Sequence, residues 1–138
     1  MTFEGTCHCG ALKAVFSTAL PAEAIEVRAD QCSFCKSRGA KTVSDPNGKL
    51  LLRFSKTAAH AYRFGLRTAD FWICNTCGAY VAASTEIDGR LYGVLNVAGV
   101  GIAQLARRDA APVDYSAEDA PARMARRRAR WTPAEIVH

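Results

Sequence analysis

The chain has 138 residues, of which 49% are hydrophobic and 22% charged, the balance of one globular domain rather than of a disordered polyelectrolyte. No apolar run approaches the roughly 20 residues that cross a bilayer, which excludes a transmembrane helix and a membrane partner. The net charge of +5 comes from 18 basic against 13 acidic residues and favours anionic partners without choosing among them.

The segment from Met1 to Cys7 carries neither a basic nor an apolar leader pattern, so a cytoplasmic location is expected. Short strands separated by turn signals follow. Leu12–Phe16 alternates, with Leu12, Ala14 and Phe16 on one face and Lys13 and Val15 on the other. Ile25–Ala29 alternates with Glu26 and Arg28 turned outward. Further strands are expected at Leu50–Phe54, Ala61–Phe64, Phe71–Ile73, Tyr80–Ala83 and Leu91–Val97. Pro21, Asp45-Pro46-Asn47-Gly48, Gly65 and Asp88-Gly89 supply the turns, the last as a hairpin. After Gly101 the composition turns to Ala and Arg, with helix expected at Ile102–Arg108 and Ala117–Trp131 and a surface loop over Ala110–Ala120. Pro121 fits the second helix only in its first turn.

The six cysteines form three close pairs: Cys7-His8-Cys9, Cys32-Ser33-Phe34-Cys35 and Cys74-Asn75-Thr76-Cys77. In a reducing compartment such pairs read as metal ligands or reactive groups rather than disulfides. Zinc takes four soft donors in a tetrahedron, and two pairs supply them. Cys9 and Cys77 are each followed by a glycine, Gly10 and Gly78, able to adopt the left-handed conformation that closes a metal knuckle. Lys36, Ser37 and Arg38 follow Cys35 instead. Cys7, Cys9, Cys74 and Cys77 are therefore assigned to one closed structural zinc site, and His8 to an exposed knuckle position.

The remaining pair differs in its surroundings. Lys36, Arg38 and Lys41 lie nearby in sequence and would favour a thiolate. Asp30 precedes Cys32 by two residues, so Asp30, Cys32 and Cys35 offer three zinc ligands with a fourth position open, the mark of a catalytic ion. A redox-active Cys-x-x-Cys and a pair of free thiols are the other readings of the same residues.

Gly5-Thr6-Cys7-His8-Cys9-Gly10, Cys32-Ser33-Phe34-Cys35 and Cys74-Asn75-Thr76-Cys77-Gly78 together resemble the glutathione-dependent formaldehyde-activating enzyme family, shared with centromere protein V. The likeness runs from about Phe3 to Val97, and Trp131-Thr132-Pro133 resembles the family's ending. It implies a mainly β fold, the β-tent, of short antiparallel strands clipped by a structural zinc at Cys7, Cys9, Cys74 and Cys77. It also implies a second zinc, at positions that fall here on Asp30, Cys32 and Cys35, with Asp30 standing where the family has a cysteine. Cys32 and Cys35 are then the catalytic residues of a carbon–sulfur lyase acting on a glutathione or small-thiol adduct of an aldehyde.

The expected organisation is a single domain over residues 1–138, with its core at about 3–97 and an arginine-rich, partly helical segment over 101–138. Phe71, Trp72, Tyr80 and Tyr92 are expected to fill the core, and no role falls to His60. Lys36, Arg38 and Lys41 are the expected holders of substrate carboxylates. Arg123, Arg126, Arg127 and Arg130 share a helix face without interleaved aromatics, so a solvated surface packed by Trp131 is expected rather than a nucleic-acid interface. The alternative function is a zinc-stabilised binding module contacting an acidic partner or nucleic acid through that segment.

Overall fold

Alternation places one face of each early strand inward, and the computed structural model, which describes residues 1–138, follows it closely. Strand β1 (Thr2–Thr6) pairs antiparallel with β2 (Lys13–Ser17), and β2 pairs with β5 (Lys49–Arg53). Phe3 lies opposite Phe16, and Phe16 opposite Leu50, so one cross-strand row feeds the core. Leu12, Ala14 and Phe16 are buried as their spacing demands.

The sheet continues from β5 to β11 (Thr132–Val137) and β9 (Arg90–Asn96). It then passes through β4 (Thr42–Val43) and β3 (Arg28–Asp30) to β10 (Ala111–Val113). A branch of β6 (Ala59–Tyr62), β7 (Asp70–Cys74) and β8 (Tyr80–Ile87) joins at the other edge of β9. The β8–β9 turn is Asp88-Gly89, with φ of 51° and 77°, the two positive values that a type I′ hairpin turn needs. The result is a mainly β protein with an open, mixed sheet.

The structure departs from the sequence expectation in several places. The strands are not all antiparallel: β11 runs parallel to β5 and β10 parallel to β3. Both parallel strands come from the late segment, long after their partners, which is the condition for parallel pairing. Part of the expected loop over Ala110–Ala120 is thus strand β10, at the sheet's edge, where Pro112 is tolerated. Arg28, expected to face outward, is buried and shares a small cavity with Arg126, Arg127 and Trp131.

Three helices complete the chain. Helix α1 (Ser33–Ser37) was not signalled by periodicity, whereas α2 (Ala103–Ala106) and α3 (Ala120–Arg130) fall inside the expected segments. The carboxylate of Asp119 caps α3 by accepting the Ala122 N–H at 2.9 Å, and Pro121 occupies its first turn. Trp131 ends the helix in an extended conformation and leads into β11. There are two hydrophobic cores. The larger gathers Phe16, Leu50, Leu52 and Leu95 and includes Cys7 and Cys74; the smaller gathers Phe34, Tyr80, Tyr92 and Trp131 and includes Cys35.

Candidate functional site

Strand β1 delivers Cys7 to a turn, and strand β7 ends on Cys74 at the start of another. The two turns are built alike. The Gly10 N–H donates to the Cys7 carbonyl at 3.0 Å and the Gly78 N–H to the Cys74 carbonyl at 3.0 Å. Gly10 and Gly78 hold φ of 86° and 77°, the left-handed conformation expected of them. Backbone N–H groups also point at sulfur: Leu12 at the Cys7 Sγ (3.3 Å) and Cys77 at the Cys74 Sγ (3.5 Å). Cys7 and Cys9 converge through a tight turn rather than an extended run.

All four Sγ atoms lie within 4.8 Å of one another. Cys7 and Cys9 are 3.7 Å apart, and Cys9 and Cys74, 65 residues distant in sequence, 3.5 Å apart. A tetrahedron with metal–sulfur bonds of about 2.3 Å has edges of about 3.8 Å, so this spacing fits a zinc-sized ion. The sulfurs are already polarised. Burial works against ionisation of Cys77, but the Cys9 and Ala79 N–H groups and the Cys74 and Cys7 thiols bring it down to about 6. At Cys9 the Ala11 N–H favours the thiolate, yet sharing protons with Cys74, Cys7 and Cys77 pushes it up to about 11. A cation relieves that competition by accepting all four as thiolates. His8 is exposed and outside the group. His60, for which no role was expected, has a partner: its Nδ1 lies 2.5 Å from Asn75 Oδ1, and Asn75 Nδ2 donates to the Thr57 carbonyl, bracing the second turn.

The third cysteine pair sits elsewhere. Cys32 caps α1, its Sγ accepting the Cys35 N–H at 3.4 Å, while Cys35 is buried in the smaller core. The adjacent Cys35 thiol, and its N–H, stabilise the Cys32 thiolate against burial and the charge of Asp30, bringing it down to about 7; Cys35 is raised in consequence. Asp30, Cys32 and Cys35 do not gather as the four-sulfur group does. Asp30 Oδ1 accepts the Cys32 N–H at 2.9 Å and shapes the entry to α1. Three donors so arranged do not match the spacing of a closed metal group. Asp30→Ala is expected to cost about 1 kcal/mol, as loss of a side-chain acceptor for a backbone N–H does, and to leave the metal content of the purified protein unchanged; a fall in zinc would restore the ligand role.

Cys32 opens into a cleft of about 330 Å³ whose walls include Asp30, Phe64, Thr68, Phe71, Tyr115, Arg123, Arg126 and Arg127. The cations of this cleft come from α3 and not from the residues next to Cys32 in sequence. Lys41 donates to the Ala106 and Arg108 carbonyls behind α2, Arg38 lies over the Phe34 ring at 3.9 Å, and Lys36 is exposed outside the cleft. The arginine-rich helix, expected as solvated surface, forms a wall. Its charges are met internally: Arg123 and Arg126 by Glu118, Arg128 by Asp88 and Arg130 by Glu26. Tyr80 and Tyr92 are buried as expected, whereas Phe71 faces the cleft. Thr68, Phe64 and Tyr115 gave no signal in the sequence, because only the tertiary fold brings their loops to α3.

The fold and the cysteine geometry define a small, mainly β protein with a four-cysteine group spaced as a metal site needs. No family model and no curated protein matches the chain. It is similar to a Rhodobacter sphaeroides protein of known crystal structure, 31% identical, over 80% of this chain and 99% of that one, with a TM-score of 0.58. The chain belongs to the same family as that protein.

Proposed function

We propose that the protein is a zinc-stabilised carbon–sulfur lyase that makes or breaks the bond between a small thiol and an aldehyde, at the cleft holding Cys32. The single observation that carries this reading is the position of Cys32, a half-buried thiol fixed at a helix cap and open to a cleft with aromatic and cationic walls. The zinc would sit on Cys7, Cys9, Cys74 and Cys77, where four protein donors close the site, and would supply folding stability rather than chemistry.

In the cleft, a hemithioacetal would lose its hydroxyl proton as the carbon–sulfur bond breaks, releasing aldehyde and thiolate. Cys32 would take that proton, and the reverse direction would return it. Phe64 and Phe71 would keep water from the reacting carbon. The binding-module alternative draws less support, since the arginines of α3 are largely engaged within the molecule. Exchange spectroscopy on mixed glutathione and formaldehyde tests the reading. The wild type should speed interconversion of free thiol and adduct, and Cys32→Ala should return it to the uncatalysed rate. An uncatalysed rate with the wild type would refute the reading.

A further inference from the structure

Each arginine of α3 except one has a carboxylate. Arg127 is only 6% exposed, and none of the ion pairs in the molecule includes it. Its Nη1 donates to Thr68 Oγ1 at 2.7 Å, with the Met124 sulfur at 3.9 Å, and its guanidinium carbon lies 4.7 Å from the Trp131 ring centre. Its Nε is buried and has no acceptor. Burial, then Arg126 and Arg123, push it down to about 10, so it remains a cation at neutral pH. A buried charge without a carboxylate and a buried donor without an acceptor are costly, and proteins rarely keep them without a use.

Arg127 lines the Cys32 cleft and also the smaller cavity of about 60 Å³ behind it, and its Nε is covered in the wall between neighbours that offer it no acceptor. We infer that Arg127 is the anion anchor of this cleft, and that the compound bound there is a small carboxylic acid whose carboxylate meets the guanidinium while its sulfur end faces Cys32. The inference rests on the reading of Cys32 given above and adds the substrate class. The charges around the cleft favour a monoanion over a dianion. Arg123 and Arg126 are already committed to Glu118, and Asp30 and Asp114 line the same cleft. Arg127 is the one guanidinium there without a carboxylate of its own, and with Asp30 and Asp114 on the same walls the cleft has no surplus of positive charge to hold a phosphate dianion, whereas a single carboxylate can pair with that guanidinium. Thr68 fixes the guanidinium plane through Nη1, and the Nε edge is the one that planar carboxylates engage with two parallel hydrogen bonds.

Titration calorimetry with 3-mercaptopropionate and with 3-mercaptopropanol, which differ only in the charged end, tests it. The wild type should bind the acid roughly ten-fold or more tightly than the alcohol, as expected of a charge-assisted pair. Arg127→Gln should remove that preference while leaving the alcohol unchanged, and Arg127→Lys should keep part of it, with circular dichroism confirming the fold of each. Equal affinities in the wild type, or no binding of the acid, would overturn the inference without any variant. So would a preference that survives in folded Arg127→Gln. Cys32→Ala separates the two claims. If it weakens both thiols while the wild type shows no acid preference, the Cys32 reading stands and the anchor falls. If the acid preference holds and Cys32→Ala changes nothing, the anchor stands and the Cys32 reading falls.

Discussion

Cys74→Ser should leave the chain unfolded or insoluble. Cys74 is 1% exposed and belongs both to the larger core and to the four-sulfur group. The group ties the end of β1 to the end of β7 across 65 residues of chain, where closing a long loop restricts the unfolded state most. Zinc binding by such sets contributes about 10–16 kcal/mol in finger peptides, comparable to or larger than the whole stability of a typical domain, about 5–15 kcal/mol. Circular dichroism and thermal melting check this; native spectra with an unchanged melting temperature would show that the four sulfurs do not carry the fold.

Phe34→Ala should destabilise the protein by about 3–5 kcal/mol, the usual cost of emptying a buried aromatic site. Phe34 is the hub of the smaller core: its ring centre lies 5.7 Å from Tyr62, 5.1 Å from Phe64, 5.0 Å from Phe71 and 5.0 Å from Tyr80. It is also the residue of α1 that anchors the helix between Cys32 and Cys35. The loss should therefore reach the cleft and weaken thiol binding there as well. Urea unfolding measures the first effect. A loss below about 1 kcal/mol would mean that the aromatic cluster relaxes around the gap.

The strand alternation around Phe16 and Leu50 and the Asp88-Gly89 turn were legible because each obeys a local rule, side-chain period or positive φ. The metal group was legible for the same reason: Gly10 and Gly78 mark two knuckles wherever they sit in space. The cleft was not. Its cations lie more than ninety residues after Cys32 in sequence, on α3, while the nearby Arg38 and Lys41 meet other partners and Lys36 is exposed outside the cleft. Strand β10 was hidden by its length and its proline. Arg28 read as a surface residue because alternation cannot show that α3 and Trp131 close over one face of β3.

Cys7, Cys9, Cys74 and Cys77 are spaced for a metal ion, and we propose that this ion is zinc and that the fold depends on it. Elemental analysis of the purified, folded chain tests it most directly. One zinc ion per chain is expected, retained in Asp30→Ala and Cys32→Ala. Folded protein with its four thiols intact and no bound metal would contradict it.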